Sequence, residues 1–250
     1  ATNAQTDGRA GRFVRPSGII SFEEIPPKKG TYMTSYDFAI SGQHYLFDVQ
    51  SFAHTILAAG GDAFSYALLD RTTQGVIDDV ASGAAELGVI MQTSETESAL
   101  NEALAEAGLA FHELAVSAPL VALPSSHPFV NAKSLTLEQL ADFPYVYFDQ
   151  GEDAPIAFYE EALSQVPRAK KVACTDRASL TELIMAINGY TVTSGILVGI
   201  TDGSALTTIP LETDLKLHLG YVTADNRELS VMGERFVSHL ARSLDLYANR

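Results

Sequence analysis

From Tyr36 onward the chain switches between short apolar runs of strand length and stretches whose apolar residues recur at helical spacing. That pattern predicts βα units and a largely parallel sheet. The first unit is a strand over Tyr36–Ser41, then a helix with Val49, Phe52, Ala53 and Ile56 on one face, closed by Gly60-Gly61. A strand over Phe64–Leu69 leads to a helix carrying Val76, Ile77 and Val80 that ends at Gly83. Leu87–Met91 reads as a short buried strand, and residues 96–107 as a helix stopped by Gly108.

A second set begins near residue 119. Leu120–Leu123 reads as a strand, and Thr136-x-x-Gln139 as the capping box of a short helix ending before Pro144. Strands over Tyr145–Phe148 and Lys171–Thr175 flank a helix over residues 155–166. Ser179-x-x-Glu182 is expected to cap a helix with Leu180, Leu183, Ile184 and Ile187 inward and Gly189 at its end. The chain closes with a strand over Leu217–Val222 and a helix bearing Phe236, Val237, Leu240 and Leu244. Residues 1–32 follow neither period. They are polar and rich in Gly and Pro around one apolar patch (Ile19, Ile20, Phe22) and read as a partly disordered linker.

Composition narrows the functions open to such a chain. Its 250 residues are 46% hydrophobic, enough for two lobes of roughly 100 residues each. Lys and Arg number 16 against 31 Asp and Glu, a net charge of -15, which repels the phosphates of nucleic acid and of an anionic membrane. The basic clusters, Lys28-Lys29 and Arg168 to Lys171, are short and read as solvated. Cys174 is the single cysteine, so no internal disulfide forms, and a buried inert thiol in a reducing, cytoplasmic setting is expected. No apolar run approaches the ~20 residues of a membrane span, and no charged-then-apolar leader opens the sequence.

Catalytic signatures are missing: there is no G-x-S-x-G elbow, H-E-x-x-H, Walker-type loop or G-x-G-x-x-G. The six histidines include no pair at three- or four-residue spacing, so no metal site, no cofactor and no catalysis are expected. The many carboxylates read as solvated surface. Polar groups do gather at strand-to-helix junctions, where exposed backbone N–H groups favour anions. Ser41, Gly42, Gln43 and His44 follow the first strand, Thr72 and Thr73 the second, and Met91 and Gln92 the third. Gln150 follows the strand at 145, Asp176, Arg177 and Ser179 the strand at 171, and Thr193, Ser194 and Gly195 the segment at 190. Each set suits either a bound ligand or plain helix capping.

Several segments resemble the effector-binding domain of LysR-type transcription regulators. Ala85-Glu-Leu-Gly-Val-Ile90 resembles the strand of that domain's third unit. Leu123-Pro-Ser-Ser-His127-Pro128-Phe129 resembles its His-Pro-Leu turn, with Phe for Leu, and Leu135-Thr-Leu-Glu-Gln-Leu-Ala-Asp-Phe-Pro144 the short helix after it. Gln43-His44-Tyr45, Phe148-Asp149-Gln150-Gly151, Asp176-Arg177-Ala178-Ser179 and Asn188-Gly189-Tyr190-Thr191 add to the likeness, which runs from about residue 36 to the C-terminus. The resemblance implies an α/β fold of two Rossmann-like lobes, of the type-2 periplasmic-binding-protein kind, joined by two crossover strands. Lobe 1 would be residues 33–117 plus 219–250, and lobe 2 residues 118–218. It further implies a small-molecule effector between the lobes, often a carboxylate, and a homodimer or tetramer. DNA would be bound through an N-terminal winged helix-turn-helix that this sequence does not contain. The rival reading is an exported solute-binding protein of a transporter, with a leader processed away before Ala1.

Overall fold

A computed structural model describes residues 36–196 and 206–248, all within one compact unit, Ser35–Arg250; the linker reading of residues 1–32 lies outside the described residues. The first half runs β1 (Phe38–Gly42), α1 (Leu46–Ala59), β2 (Tyr66–Asp70), α2 (Thr73–Ser82), β3 (Leu87–Thr93), α3 (Glu97–Glu106) and β4 (Leu109–Ser117). The chain then builds β5 (Leu120–Pro124), β6 (Tyr145–Phe148), β7 (Lys171–Cys174), α4 (Arg177–Ile187), β8 (Thr191–Thr193) and β9 (Leu206–Pro210). It returns to the first sheet through β10 (Leu217–Ala224) and ends on α5 (Val231–Ala248).

The first sheet has the order β2-β1-β3-β10-β4. β1 pairs parallel with β2 and β3, whereas β10 lies antiparallel between β3 and β4. The second half carries the antiparallel set β8-β5-β9 and the parallel pair β6-β7, linked by a bridge from Tyr145 to Tyr190. The expectation of a largely parallel sheet therefore holds only for β1–β3 and β6–β7, because the returning chain enters the first sheet from the opposite direction. Buried at every position, β3 carries the continuous apolar run of a central strand. One apolar core passes through both halves, from Phe38, Leu219 and Phe236 to Leu123, Tyr145 and Ile209.

Four local expectations are corrected. Residues 155–166 are not a helix but a single 3-10 turn, Ile156–Phe158, followed by turns. Pro155 and Pro167 bracket the segment, and the Glu160 and Glu161 side chains reach backbone amides elsewhere, so tertiary hydrogen bonds prevail over helical ones. The Thr136–Gln139 box does form: the Thr136 N–H donates to Gln139 Oε1 (2.8 Å). It nevertheless opens only a run of three-residue turns through Phe143, too short to sustain a helix. In α4 the cap is Asp176, whose carboxylate accepts from the Ser179 N–H; Ser179 lies inside the first turn. Finally, α1 buries Phe47, Asp48, Ser51, Phe52 and Thr55, leaving Val49 and Ala53 exposed. Its inward hydroxyls are satisfied within the helix: Ser51 donates to Phe47 O and Thr55 to Ser51 O. β4 and β9 had no sequence reading, because their apolar and polar residues do not alternate cleanly.

Two residues of the His-Pro turn show what that motif does. His127 is buried between the rings of Phe129 and Phe143, and its Nδ1 accepts from the Phe129 N–H (3.2 Å). Its job is to fold the exit from β5, and burial lowers its pKa accordingly.

At Gly88 in β3 the helix α2 lies directly on the strand, so a Cβ there would collide with Val76 and Val222 and crowd Val80. Gly88→Val is expected to lower stability by about 1–3 kcal/mol through overpacking, read as a fall in the urea midpoint. An unchanged midpoint would mean that α2 is free to lift.

Candidate functional site

The two halves meet where β1 turns into α1. His44 and Tyr45 sit at that junction and face the loop after β6 and the start of α4. Glu160 takes hold of His44 twice: one oxygen accepts the His44 backbone N–H (3.0 Å) and the other faces His44 Nδ1 (2.8 Å). Gln150 Nε2 donates to the same carboxylate (2.8 Å), and Gln150 Oε1 accepts the Thr73 N–H (2.9 Å). The His44 ring stacks on Phe148, with centroids 4.1 Å apart. Burial lowers the imidazole's pKa, but the hydrogen bond and charge of Glu160 more than offset it, so the net shift is upward.

Arg177, in the first turn of α4, makes a second tie. Its guanidinium donates to Tyr45 O (2.6 Å) and Asp48 Oδ1 (3.4 Å), and pairs with Asp70 at the end of β2. Asp48 is wholly buried, and Gly42 is glycine because a Cβ would strike its Oδ2.

Between these ties lies a cavity of about 70 Å³. Leu46, Phe148, Leu180, Val192 and Leu206 supply an apolar wall. Its polar wall includes His44, Tyr45, Glu160, Glu161 and Arg177, together with the hydroxyls of Thr191, Thr193 and Ser194. Three buried polar atoms of this lining have no hydrogen-bond partner among the described residues: Tyr45 OH, Glu161 Oε2 and Thr191 Oγ1. Native interiors leave few such atoms unmatched. Glu161, only 5% exposed, uses its other oxygen to accept the Phe148 N–H (2.7 Å). Burial first, and then the charge of Glu160, push its carboxyl well above the usual carboxylate range. Burial likewise lifts the Tyr45 phenol.

Of the junction residues singled out in the sequence, His44, Arg177, Thr193 and Ser194 line this cavity. Others stand behind it. Gln43 receives the Met91 N–H on Oε1 (2.8 Å) and donates to Thr73 Oγ1, while Gln150 holds Glu160. The rest lie away from it: Ser41 donates to Asp79 (2.9 Å), Gln92 to Asn101 (2.7 Å), Thr72 and Asp176 cap helices, and Ser179 is exposed. Gly42 packs on Asp48 and Gly195 on Leu120, both outside the lining. Glu160, Glu161, Tyr45 and Thr191 were not singled out. The two glutamates read as solvated because the carboxylates of so acidic a chain read as surface. The adjacent Phe148, which needs a covering, was the one available signal.

No cluster of three His, Cys, Asp or Glu side chains suited to a metal occurs among the described residues. Cys174 is buried, and burial pushes its thiol up to about 11, far from a reactive thiolate. No described helix is long and apolar enough to cross a membrane.

Burial, only partly offset by Arg177, raises Asp48 from 3.8 to about 7. A carboxyl with a raised folded-state pKa contributes stability that is complete below its unfolded pKa and is lost as pH rises to the folded one. Asp48→Asn should therefore match the parent protein near pH ~4 and exceed it near pH ~8 in urea unfolding. The reverse order at the higher pH would show that the Arg177 attraction outweighs burial.

The comparisons with known proteins agree with this architecture. The family model described as the LysR substrate binding domain matches residues 64–245. Among solved structures, oxidised OxyR of Corynebacterium glutamicum superposes with a TM-score of 0.57 at 16% identity, covering 85% of this chain and 65% of that one. HinK, a LysR family transcriptional regulator from Pseudomonas aeruginosa, gives 0.55 at 13% identity over 83% of this chain and 69% of its own. The effector binding domain of QuiR in complex with shikimate gives 0.53 at 13% identity, over 83% and 97%. The chain thus spans about two thirds of the length of the OxyR chain it matches. No curated protein sequence matches it. With the two-lobed type-2 periplasmic-binding-protein fold and a family match over most of its length, the chain belongs to the LysR substrate-binding domain family.

Proposed function

We propose that this domain senses a small molecule in the cavity between β1–α1 and the loops of the second half, and that the ligand sets how the two halves are held together. The observation that carries the reading is that three residues lining one cavity, Tyr45, Glu161 and Thr191, each hold a buried polar atom without a partner among the described residues. The lobes would be residues 33–117 plus 219–250 and 118–218. His44–Glu160 and Arg177–Asp48/Asp70 cross that division, so a ligand that competes with these ties shifts the balance between open and closed arrangements. Only a difference in affinity for the two arrangements does this. In the parent protein the shift would pass through a homodimer or tetramer to a winged helix-turn-helix that contacts DNA in the cytoplasm. Family membership favours this regulatory role over an exported solute-binding protein of the same fold, and a binding role over catalysis. An acidic effector would have to turn to Arg177, which two carboxylates already share.

A thermal-shift screen against a metabolite library tests the reading. A ligand at about a hundredfold over its Kd stabilises by ~2.7 kcal/mol, a shift of several degrees for a domain of this size. Ser194→Phe, filling the cavity from its wall, should abolish the shift, at the cost of a modest fall in the unliganded melting temperature through overpacking. A hit that binds the variant as tightly as the parent protein would place the ligand elsewhere.

A further inference from the structure

We infer that the molecule taken by this cavity carries a protonated nitrogen, a small alkylammonium, whose N–H donors meet the Glu161 carboxylate, Thr191 Oγ1 and Tyr45 OH. The inference rests on the sensing role proposed above and names the ligand's chemical class.

The charges around the cavity argue for it first. Four acidic side chains stand in or behind its wall (Asp48, Asp70, Glu160, Glu161), against the guanidinium of Arg177 and the imidazole of His44. Arg177 is taken up by Asp48, Asp70 and Tyr45 O, and His44 by Glu160. That leaves Glu161 without a counter-charge of its own. Arg168, whose charge also bears on Glu161, stands outside the lining; it donates to Leu163 O, Val166 O and Tyr190 OH, lies over the Tyr145 ring, and keeps one buried Nη2 without a partner among the described residues. An anion in the cavity would meet two glutamates and, within the lining, no uncommitted cation. A cation would meet one uncommitted carboxylate oxygen.

Valence and size point the same way. An ammonium offers three donors and no acceptor. The three unpartnered atoms of the lining are all oxygens able to accept. The cavity, about 70 Å³, is under half of the ~150 Å³ engineered cavity that admits benzene, which fits a short alkyl body against Leu46, Leu180 and Val192.

Burial and then the charge of Glu160 raise the Glu161 carboxyl above the usual range, so a cation beside it is the partner that would favour its charged form.

The test is calorimetric titration of the domain with three probes of one size: n-propylammonium, propionate and propionamide. The expected result is saturable binding of n-propylammonium about tenfold or more tighter than either isostere. Glu161→Gln keeps an oxygen for the Phe148 N–H and should cost about tenfold, the loss of one hydrogen bond to a charged group. Thr191→Val, which changes no charge, should weaken n-propylammonium several-fold and guards against misfolding of the first variant. Tighter binding of propionate or propionamide, sensitive to Ser194→Phe, would overturn the ammonium inference and uphold sensing. No binding of any probe while the metabolite screen yields a cavity ligand overturns the inference alone. No ligand in either experiment removes both.

Discussion

The carboxylate of Glu160 receives a backbone N–H and a ring nitrogen of His44 and the amide of Gln150, and so holds the two halves of the molecule on one acidic group. It is 4% exposed. A charge at that depth is tolerated only when its oxygens are matched, since desolvation costs several kcal/mol per ion. Matching fixes the rest in turn. His44 must sit at the end of β1, Gln150 must reach Thr73 at the start of α2, and residues 155–166 must give up helical geometry so that Glu160 faces inward. Arg177 repeats the arrangement a short distance away with the opposite charge.

Beside these matched groups, Glu161 stands out because it is adjacent in sequence and equally buried, yet half unmatched. Low local dielectric strengthens satisfied polar contacts and penalises unsatisfied ones. A ligand that completes such a site gains both the new hydrogen bond and the relief of an existing penalty. Small chemical differences between candidate effectors are thereby converted into large differences in affinity, which is what a sensor requires.

The alternation from Tyr36 onward made the strands β1, β3, β5, β6 and β7 legible, because each is a short run of strand-forming residues bounded by turn or helix-start signals. The helical spacing of Val76, Ile77 and Val80 announced α2, and that of Leu180, Leu183 and Ile184 announced α4, for the same local reason. The His-Pro turn carried the family likeness, and its structural role is the packing of an imidazole between two phenyl rings. The cavity was half legible. Junction residues such as His44, Arg177 and Ser194 follow from the rule that ligands gather past strand ends. Glu160 and Glu161 did not, because nothing local distinguishes a carboxylate aimed inward from one in water. The difference lies in partners more than a hundred residues away, as with His44 and Glu160. The misread face of α1 has the same origin, since Asp48 is buried only because Arg177 arrives from α4.

The strand β10 has a consequence for how the molecule is made. It lies between β3 and β4, yet about a hundred residues of chain separate it from β4. During synthesis, β3 and β4 emerge first and face each other across a gap one strand wide, each presenting a row of unpaired backbone groups. The gap closes only after the entire second half has left the ribosome. Native pairing of this sheet is thus an act of long-range closure, slow by its contact order. Until it happens, the nascent chain exposes two sticky edges, and a chaperone or a neighbouring copy of the chain competes for them.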